Sequence, residues 1–387
     1  MIINQEYAEY LSCGSEILGF GGGGNAQEGL AMAEAAFALA EQKGHPIELL
    51  TIEELADRHP EGGTVVTISG VGSPASDTAY TPPEYYPRLM ELLEKEGCTD
   101  IIGFISCEIG ASSSFEPFLP AAMLGVPVID APCDSRAHPL GMMGALALEQ
   151  KNISVLQVCV GGRKGDNGTA GAYVELSVRG SVCGASSLIR NAASLAGGAV
   201  SVARNPIDLF WLNTYGAKGA YAHAAAIGKY WKSITVKNTP AAEAAAGLAD
   251  ALDGNVICLG QLVRYSCVTE NALDYGEFTI VSDGAPNRCQ SVTITFFNEY
   301  MTLTDNAGTR HYTFPDGIVV IGEDLKIYSS AMLAGAKGGT FAVVAAGWQT
   351  LNIPPALRQK SHYRTVESVI GKDMISHLDD GTFFLDV

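Results

Sequence analysis

Along the first half of the chain, apolar positions switch between two periods. In residues 26–42, Leu30, Ala33, Phe37 and Ala40 recur at helical spacing and the run stops at Gly44, which predicts a helix. Short β-branched runs at 46–51, 64–68, 101–105 and 126–130 predict strands, and 85–96, 115–124 and 141–149 predict helices between or after them. Strands alternating with helices predict an α/β fold with a mostly parallel sheet and flanking helices. Residues 172–178 extend this as a strand, and 185–196 and 216–232 as helices.

After an Ala-rich helix at 240–253 the pattern changes. Strand-like runs at 256–268, 276–281, 290–298, 300–304, 310–314 and 318–321 are separated by turn signals such as Asp305-Asn-Ala-Gly308 and Pro315-Asp-Gly317. This predicts a smaller all-β C-terminal domain. The expected division is 1–240 for the α/β domain and 241–387 for the mainly β domain.

Composition narrows the function classes. With 387 residues, 17% of them charged and 47% hydrophobic, the chain has material for two packed domains. A net charge of −18 argues against nucleic acid or an anionic membrane surface as partner. The start lacks the basic, apolar pattern of a signal peptide, and no apolar run has membrane-span length. The nine cysteines include no Cys-x-x-Cys pair and read as reduced thiols. A cytoplasmic protein acting on a small molecule is expected, and the apolar strands of the second domain predict a homo-oligomer.

The densest chemistry is Asp130-Ala-Pro-Cys-Asp-Ser-Arg-Ala-His138, directly after a predicted strand. Open α/β sheets place their chemistry just beyond the carboxyl ends of their strands. Asp130 and Asp134 are candidate general bases, Arg136 an anion partner and His138 an acid–base group. Ser69-Gly-Val-Gly-Ser-Pro-Ala-Ser76 and Cys107-Glu-Ile-Gly-Ala-Ser-Ser-Ser114 follow strands in the same way. If those strands are parallel, their tips converge, bringing Glu108, Gly72, Ser73, Ser112 and Ser113 to one sheet edge. The tract Gly19-Phe-Gly-Gly-Gly-Gly24 precedes the first long helix, so the amides of Gly21, Gly22, Gly23 and Gly24, with Asn25, form a candidate ligand cradle. Formally the tract satisfies G-x-G-x-x-G, with Glu48 or Glu53 as the ribose acid. A nucleotide-dependent enzyme is therefore one alternative, and a non-catalytic oligomeric binding protein is another. The seven histidines show no H-x-H or H-E-x-x-H spacing. Asp130, Cys133, Asp134 and His138 are nevertheless candidate ligands for a divalent metal such as zinc.

Several motifs together resemble the S-methyl thiohydantoin desulfurase family. They are Gly19-Phe-Gly-Gly-Gly-Gly-Asn25, Val71-Gly-Ser-Pro74, Glu108-Ile-Gly with Ser112 to Ser114, Asp130 with Arg136-Ala137 before Pro139, Phe314-Pro-Asp-Gly-Ile-Val-Val-Ile321 and Gly335-Ala-Lys-Gly-Gly339. The family's opening loop carries Gly-Arg-Ala-Phe-Pro-Glu, where this chain has Ser135-Arg-Ala-His-Pro-Leu140. The resemblance implies hydrolysis of a thiohydantoin- or hydantoin-type ring, with water attacking the carbon between the ring nitrogens and a thiol leaving. Asp130 or Glu108 would then be the base, Arg136 and His138 substrate or transition-state partners, and the glycine amides a clamp on the ring.

Overall fold

In the computed structural model the described residues are 1–72, 79–165, 171–235, 239–270, 273–282, 284 and 289–385. The first sheet contains β1 (Leu49–Leu50), β2 (Thr64–Gly72), β3 (Ile101–Ser106), β4 (Val128–Ile129), β5 (Val155–Gly161), β6 (Val174–Gly180) and β7 (Ala199–Asp208). Its seven strands run in the order β1-β4-β3-β2-β7-β5-β6. The first four are mutually parallel, whereas β7, β5 and β6 add on by antiparallel pairing. The sheet is therefore mixed, with five of seven strands pointing one way. Sequence periodicity missed β5 and β7. Val155-Leu-Gln-Val-Cys-Val160 is buried throughout and lacks the alternation that marks a half-exposed strand.

The second sheet is fully antiparallel. It comprises β8 (Asn255–Glu270), β9 (Leu273–Ser282), β10 (Ser291–Phe297), β11 (Glu299–Asp305), β12 (Arg310–Thr313), β13 (Gly317–Gly322), β14 (Ile327–Tyr328) and β15 (Thr340–Ala346). The eight strands run β12-β11-β10-β9-β8-β15-β13-β14, so this sheet is no smaller than the first. The C-terminal part is an antiparallel β-sheet domain as expected, with helices Ala241–Ala251 and Lys360–Ile370 packed on the sheet. One hydrophobic cluster joins Val66, Phe104 and Val128 of the first sheet to Val319, Ile321 and Val344 of the second, through helices Ala220–Ile234 and Ala241–Ala251.

The segment before the glycine tract, for which no element is predicted, is a helix, Gln5–Leu18, capped by the Asn4 side chain. Two local expectations change. Residues 141–149 form turns, because Leu146 and Ala147 hold positive φ of 52° and 60°, which no right-handed helix contains. The helix expected over 216–232 begins only at Ala220, after Gly219 at φ 76°, and runs to Ile234, and a separate short helix, Leu209–Tyr215, precedes it.

Helices Gln5–Leu18 and Ala220–Ile234 cross in close contact through glycines. A Cβ on Gly14 would lie 1.7 Å from the carbonyl oxygen of Ala224, and one on Gly228 would lie 1.9 Å from that of Tyr10. Helix-interior glycine costs about 1 kcal/mol relative to alanine, and here it permits backbone approach. Gly228→Val should therefore destabilise the protein by roughly 3 kcal/mol or more, since overpacking against rigid backbone cannot relax through a rotamer. A wild-type denaturant midpoint in that variant would contradict this packing.

Candidate active site

The site grows from the carboxyl ends of β3 and β4. Beyond Ser106 and Ile129 the two chains remain bonded: Cys133 N donates to Ser106 O at 3.0 Å and Ile109 N to Asp134 O at 3.0 Å. This zipper fixes Glu108 against the loop at 130–138. Glu108 Oε1 accepts from Ser113 Oγ at 2.9 Å, and Oε2 accepts from the His138 amide at 3.1 Å. The His138 ring completes the cluster, with Nδ1 at 3.2 Å from both Glu108 Oε2 and Asp134 Oδ2. The imidazole is 4% exposed and the Asp134 side chain 0%, so water screens these charges poorly. Burial opposes a proton on His138, but Glu108 and Asp134 outweigh it and lift the imidazole above its ordinary range. Burial likewise raises Glu108, against the pull of His138. Two carboxylates thus face one buried imidazole nitrogen at 3.2 Å, residue types that serve general acid–base chemistry.

Arg136 is fully buried and holds the loop to the second sheet. Its Nη1 donates to the carbonyls of Pro315 and Asp316 at 2.9 and 2.8 Å, and its Nε to that of Ala137 at 3.1 Å. Phe20 and Phe314 cover the guanidinium at 4.7 and 4.3 Å from the ring centroids. Burial lowers its pKa to about 10. Only Nη2 lacks a partner, so Arg136 positions the loop more than it offers a fork to a ligand.

Asp130 has a different place. Its Oδ1 and Oδ2 accept from the amides of Tyr221 and Ala222 at 2.7 and 3.2 Å, at the N-terminus of helix Ala220–Ile234. It lines a separate cavity of about 570 Å³ with Tyr7, Leu50 and Lys229. Asp130 and the Glu108–His138 cluster therefore sit at opposite ends of one loop.

The glycine tract does converge on this edge, but it follows a helix and makes no strand–turn–helix phosphate unit. Gly23 O accepts from the amides of Ser112 and Ser113 at 3.0 and 3.4 Å. Gly21 O accepts from Ser330 N at 3.1 Å, and a Cβ on Gly22 would meet Glu299 Oε1 at 2.1 Å. Asn25 Oδ1 takes the amides of Gln27 and Glu28 at 2.8 and 3.3 Å, using donors that a bound anion would need. A cavity of about 260 Å³ beside the tract is lined by Gly21, Gly22, Gly24 and Asn25, but also by Glu16 and Glu28. The expected bare amide cradle is thus a packed junction with an acidic wall. Gly72 ends β2 opposite Ala199, and a Cβ there would meet Gly198 O at 2.0 Å. Ser73 lies outside the described residues.

Of the four metal candidates, only Asp134 and His138 meet. Cys133 Sγ faces Thr67 Oγ1 at 3.4 Å, and burial pushes its thiol up to about 12. Among the described residues no group of three or more His, Cys, Asp and Glu side chains is set to hold a metal ion.

Three ionisable residues that escaped the sequence reading, two of them buried and Glu116 half-buried, complete the surroundings. Glu299, at the start of β11, is 3% exposed, and burial lifts it to about 8 beside Glu108 and Arg136. Glu116 accepts from Gly70 N at 2.8 Å and from Cys107 Sγ, and burial lifts it to about 8. Arg204, on β7, is 9% exposed. A sequence signal exists for two of them: Phe296-Phe-Asn-Glu-Tyr-Met301 and Val200-Ser-Val-Ala-Arg204 each carry an ion in an apolar run.

These raised acids fix a pH dependence. Glu299, Glu116, Glu16 at about 7 and Asp316 at about 6 all bind a proton more tightly folded than unfolded, chiefly through burial. Their contribution is complete below the ordinary carboxylate range and is lost as pH rises through the folded values. His138, also raised, acts in the same direction. The thermal midpoint should therefore fall between about pH 5 and pH 8.5, and Glu299→Gln should flatten the slope. A midpoint that rises over this range would contradict the assignment.

A mixed α/β sheet thus carries a buried acid–histidine cluster at its strand ends, tied to the second, antiparallel sheet through the Arg136 bonds to Pro315 and Asp316. Two family models match: the S-Me-THD-like N-terminal domain over residues 6–170 and the S-Me-THD-like C-terminal domain over residues 182–346. The chain belongs to the S-Me-THD-like family. Among solved structures, an X-ray crystal structure of a protein from Chromobacterium violaceum is similar, at 20% identity and a TM-score of 0.67. The match covers 100% of this chain and 99% of that one, a likeness of fold. No curated protein matches the chain. No helix among the described residues is long and apolar enough to cross a membrane.

Proposed function

We propose that the protein is a hydrolase of thiohydantoin- or hydantoin-type rings, acting on an S-methyl thiohydantoin or a close relative. Family membership supports the ring class, and the Glu108–His138–Asp134 cluster supports the reaction type. In this reading Glu108, paired with His138, takes a proton from water as its oxygen bonds to the ring carbon bearing sulfur. The proton left on that oxygen passes to the ring nitrogen as the carbonyl forms, the carbon–sulfur bond breaks, and the thiolate leaves with the proton that Glu108 took and His138 relays to it. The products are a hydantoin and methanethiol, so one water is consumed and no oxidant or reductant is needed. Asp134 orients the imidazole and stabilises its charged form. Arg136 positions the loop from beneath. Ser112 and Ser113 flank the acid on the tract side, where the ring would enter.

The carrying observation is the convergence of Glu108 Oε2 and Asp134 Oδ2 on one imidazole nitrogen, both at 3.2 Å, at the carboxyl end of parallel strands. The test is incubation of the purified chain with S-methyl thiohydantoin, with free thiol and ring product measured together. Equimolar thiol and hydantoin are expected. Recovery of intact substrate across the S-methyl and unsubstituted thiohydantoins would overturn the reading.

A further inference from the structure

The cavity that Asp130 lines lies where β1 and β4 end, at the outer edge of the first sheet. Leu50 pairs with Ile129, and the Asp130 amide donates to Leu50 O at 2.8 Å, so both strands stop at its rim. Open α/β sheets bind ligands just beyond the carboxyl ends of their strands. The Glu108–His138 cluster takes the β3 side of β4, whereas this cavity takes the β1 side, with Thr51 and Glu54 in its wall.

Two helices complete the walls. Helix Gln5–Leu18 presents Tyr7 and Tyr10, three residues apart and so on one face. Helix Ala220–Ile234 presents Ala222, Ala225 and Ala226, at spacings of three and four. Side chains this small leave open about 570 Å³, the size of a small-molecule pocket.

Two polar groups of the cavity lack partners they could take. Asp130 is 7% exposed, and its two oxygens accept only the amides of Tyr221 and Ala222, although a carboxylate has about four acceptor positions. Among the described residues it forms no ion pair within 4.0 Å. Burial holds its pKa up against those two amides. The Tyr7 hydroxyl is buried without a hydrogen-bond partner, and burial and the Asp130 charge both raise its pKa. The other acids are engaged: Glu6 accepts from the Tyr10 hydroxyl at 2.7 Å and Glu54 from the Thr51 amide at 2.9 Å. Lys229 is exposed and lies 5.7 Å from the Tyr10 ring centroid.

We propose that this cavity is a second ligand site, for an organic cation whose ammonium group meets Asp130 and the Tyr7 hydroxyl and whose flat apolar body lies between the tyrosines and the alanines. A buried carboxylate without a counter-ion is costly, and a bound ammonium supplies one. Its three donors serve the free acceptor positions of Asp130 and the tyrosine oxygen. The faces of Tyr7 and Tyr10 add attraction for the positive charge. Leu49, Leu50 and the alanines suit hydrocarbon and not a hydrated metal ion, and among the described residues no group of three or more His, Cys, Asp and Glu side chains is set to hold one. The site stands independently of the ring-hydrolase reading.

Calorimetric titration of the full chain at neutral pH with benzylamine and with benzyl alcohol tests it, since the two differ chiefly in the charge at the tip. Wild type should bind the amine at least about tenfold more tightly, the difference one desolvated charge-assisted bond supplies. Asp130→Asn should bring the amine down to the affinity of the alcohol, and Tyr7→Phe should weaken it about fivefold. Ala226→Phe fills the cavity from an exposed helix position and should block both compounds, which keeps the test open if Asp130→Asn fails to fold. Glu108→Gln should bind the amine as wild type does. Equal affinity for amine and alcohol, no measurable amine binding, or full amine affinity in Ala226→Phe would overturn the site. Amine binding lost in Glu108→Gln and kept in Asp130→Asn would put the cation at the other end of the loop and overturn it as well.

Discussion

Glu108→Gln is expected to lower thiol release by about a thousandfold, within the range a positioned acid–base group supplies, while the protein melts at or above the wild-type temperature. The amide keeps an acceptor for Ser113 Oγ and the His138 amide but cannot take a proton from water. It also relieves the burial of an acid whose charged form is disfavoured, so stability should not suffer. His138→Ala should be equally inactive. Asp130→Asn is the informative contrast. Its two hydrogen bonds serve the first turn of helix Ala220–Ile234, so the change should cost roughly 1 kcal/mol of stability and leave most of the turnover. Steady-state assays and denaturant melts on the three variants check this. An inactive, well-folded Asp130→Asn with an active Glu108→Gln would move the base to Asp130 and to its own cavity.

Gly23→Val is expected to remove both activity and several degrees of thermal midpoint, although it touches no titratable group. Gly23 holds φ 78°, where a β-branched residue is strained, and a Cβ there would approach Gly110 Cα at 2.5 Å. The neighbouring strand end cannot yield without moving Glu108, two residues away. The Gly23 carbonyl also fixes Ser112 and Ser113, and Ser113 in turn holds Glu108. Strain of this kind costs roughly 1–3 kcal/mol before any clash. Paired melting and thiol-release measurements should show both losses together. Wild-type turnover in a folded Gly23→Val protein would separate the tract from the site.

Much of this site was legible before the fold was known, for identifiable reasons. Glu108, Asp134 and His138 lie in loops directly after apolar strands, and parallel strands bring such loops to one edge. Asp130 stands apart from its loop partners, which was not legible because sequence density does not say which way a side chain turns. It points to a helix 90 residues further on. The glycine tract looked like a phosphate loop since four glycines satisfy many patterns, yet their use here is close packing against Tyr300, Glu299 and Gly110. Glu299 and Arg204 were missed because both come from segments distant in sequence, one from the second sheet and one from a strand read as irregular. Long-range antiparallel additions such as β7 against β2 leave no local period to find.

The most direct test of the central claim is wild-type turnover of S-methyl thiohydantoin in water enriched in oxygen-18. If water driven by Glu108 and His138 attacks the ring carbon, each hydantoin formed carries one heavy oxygen at that carbon, with one methanethiol released per ring. Thiol release without label in the product, or no thiol at all, would contradict it.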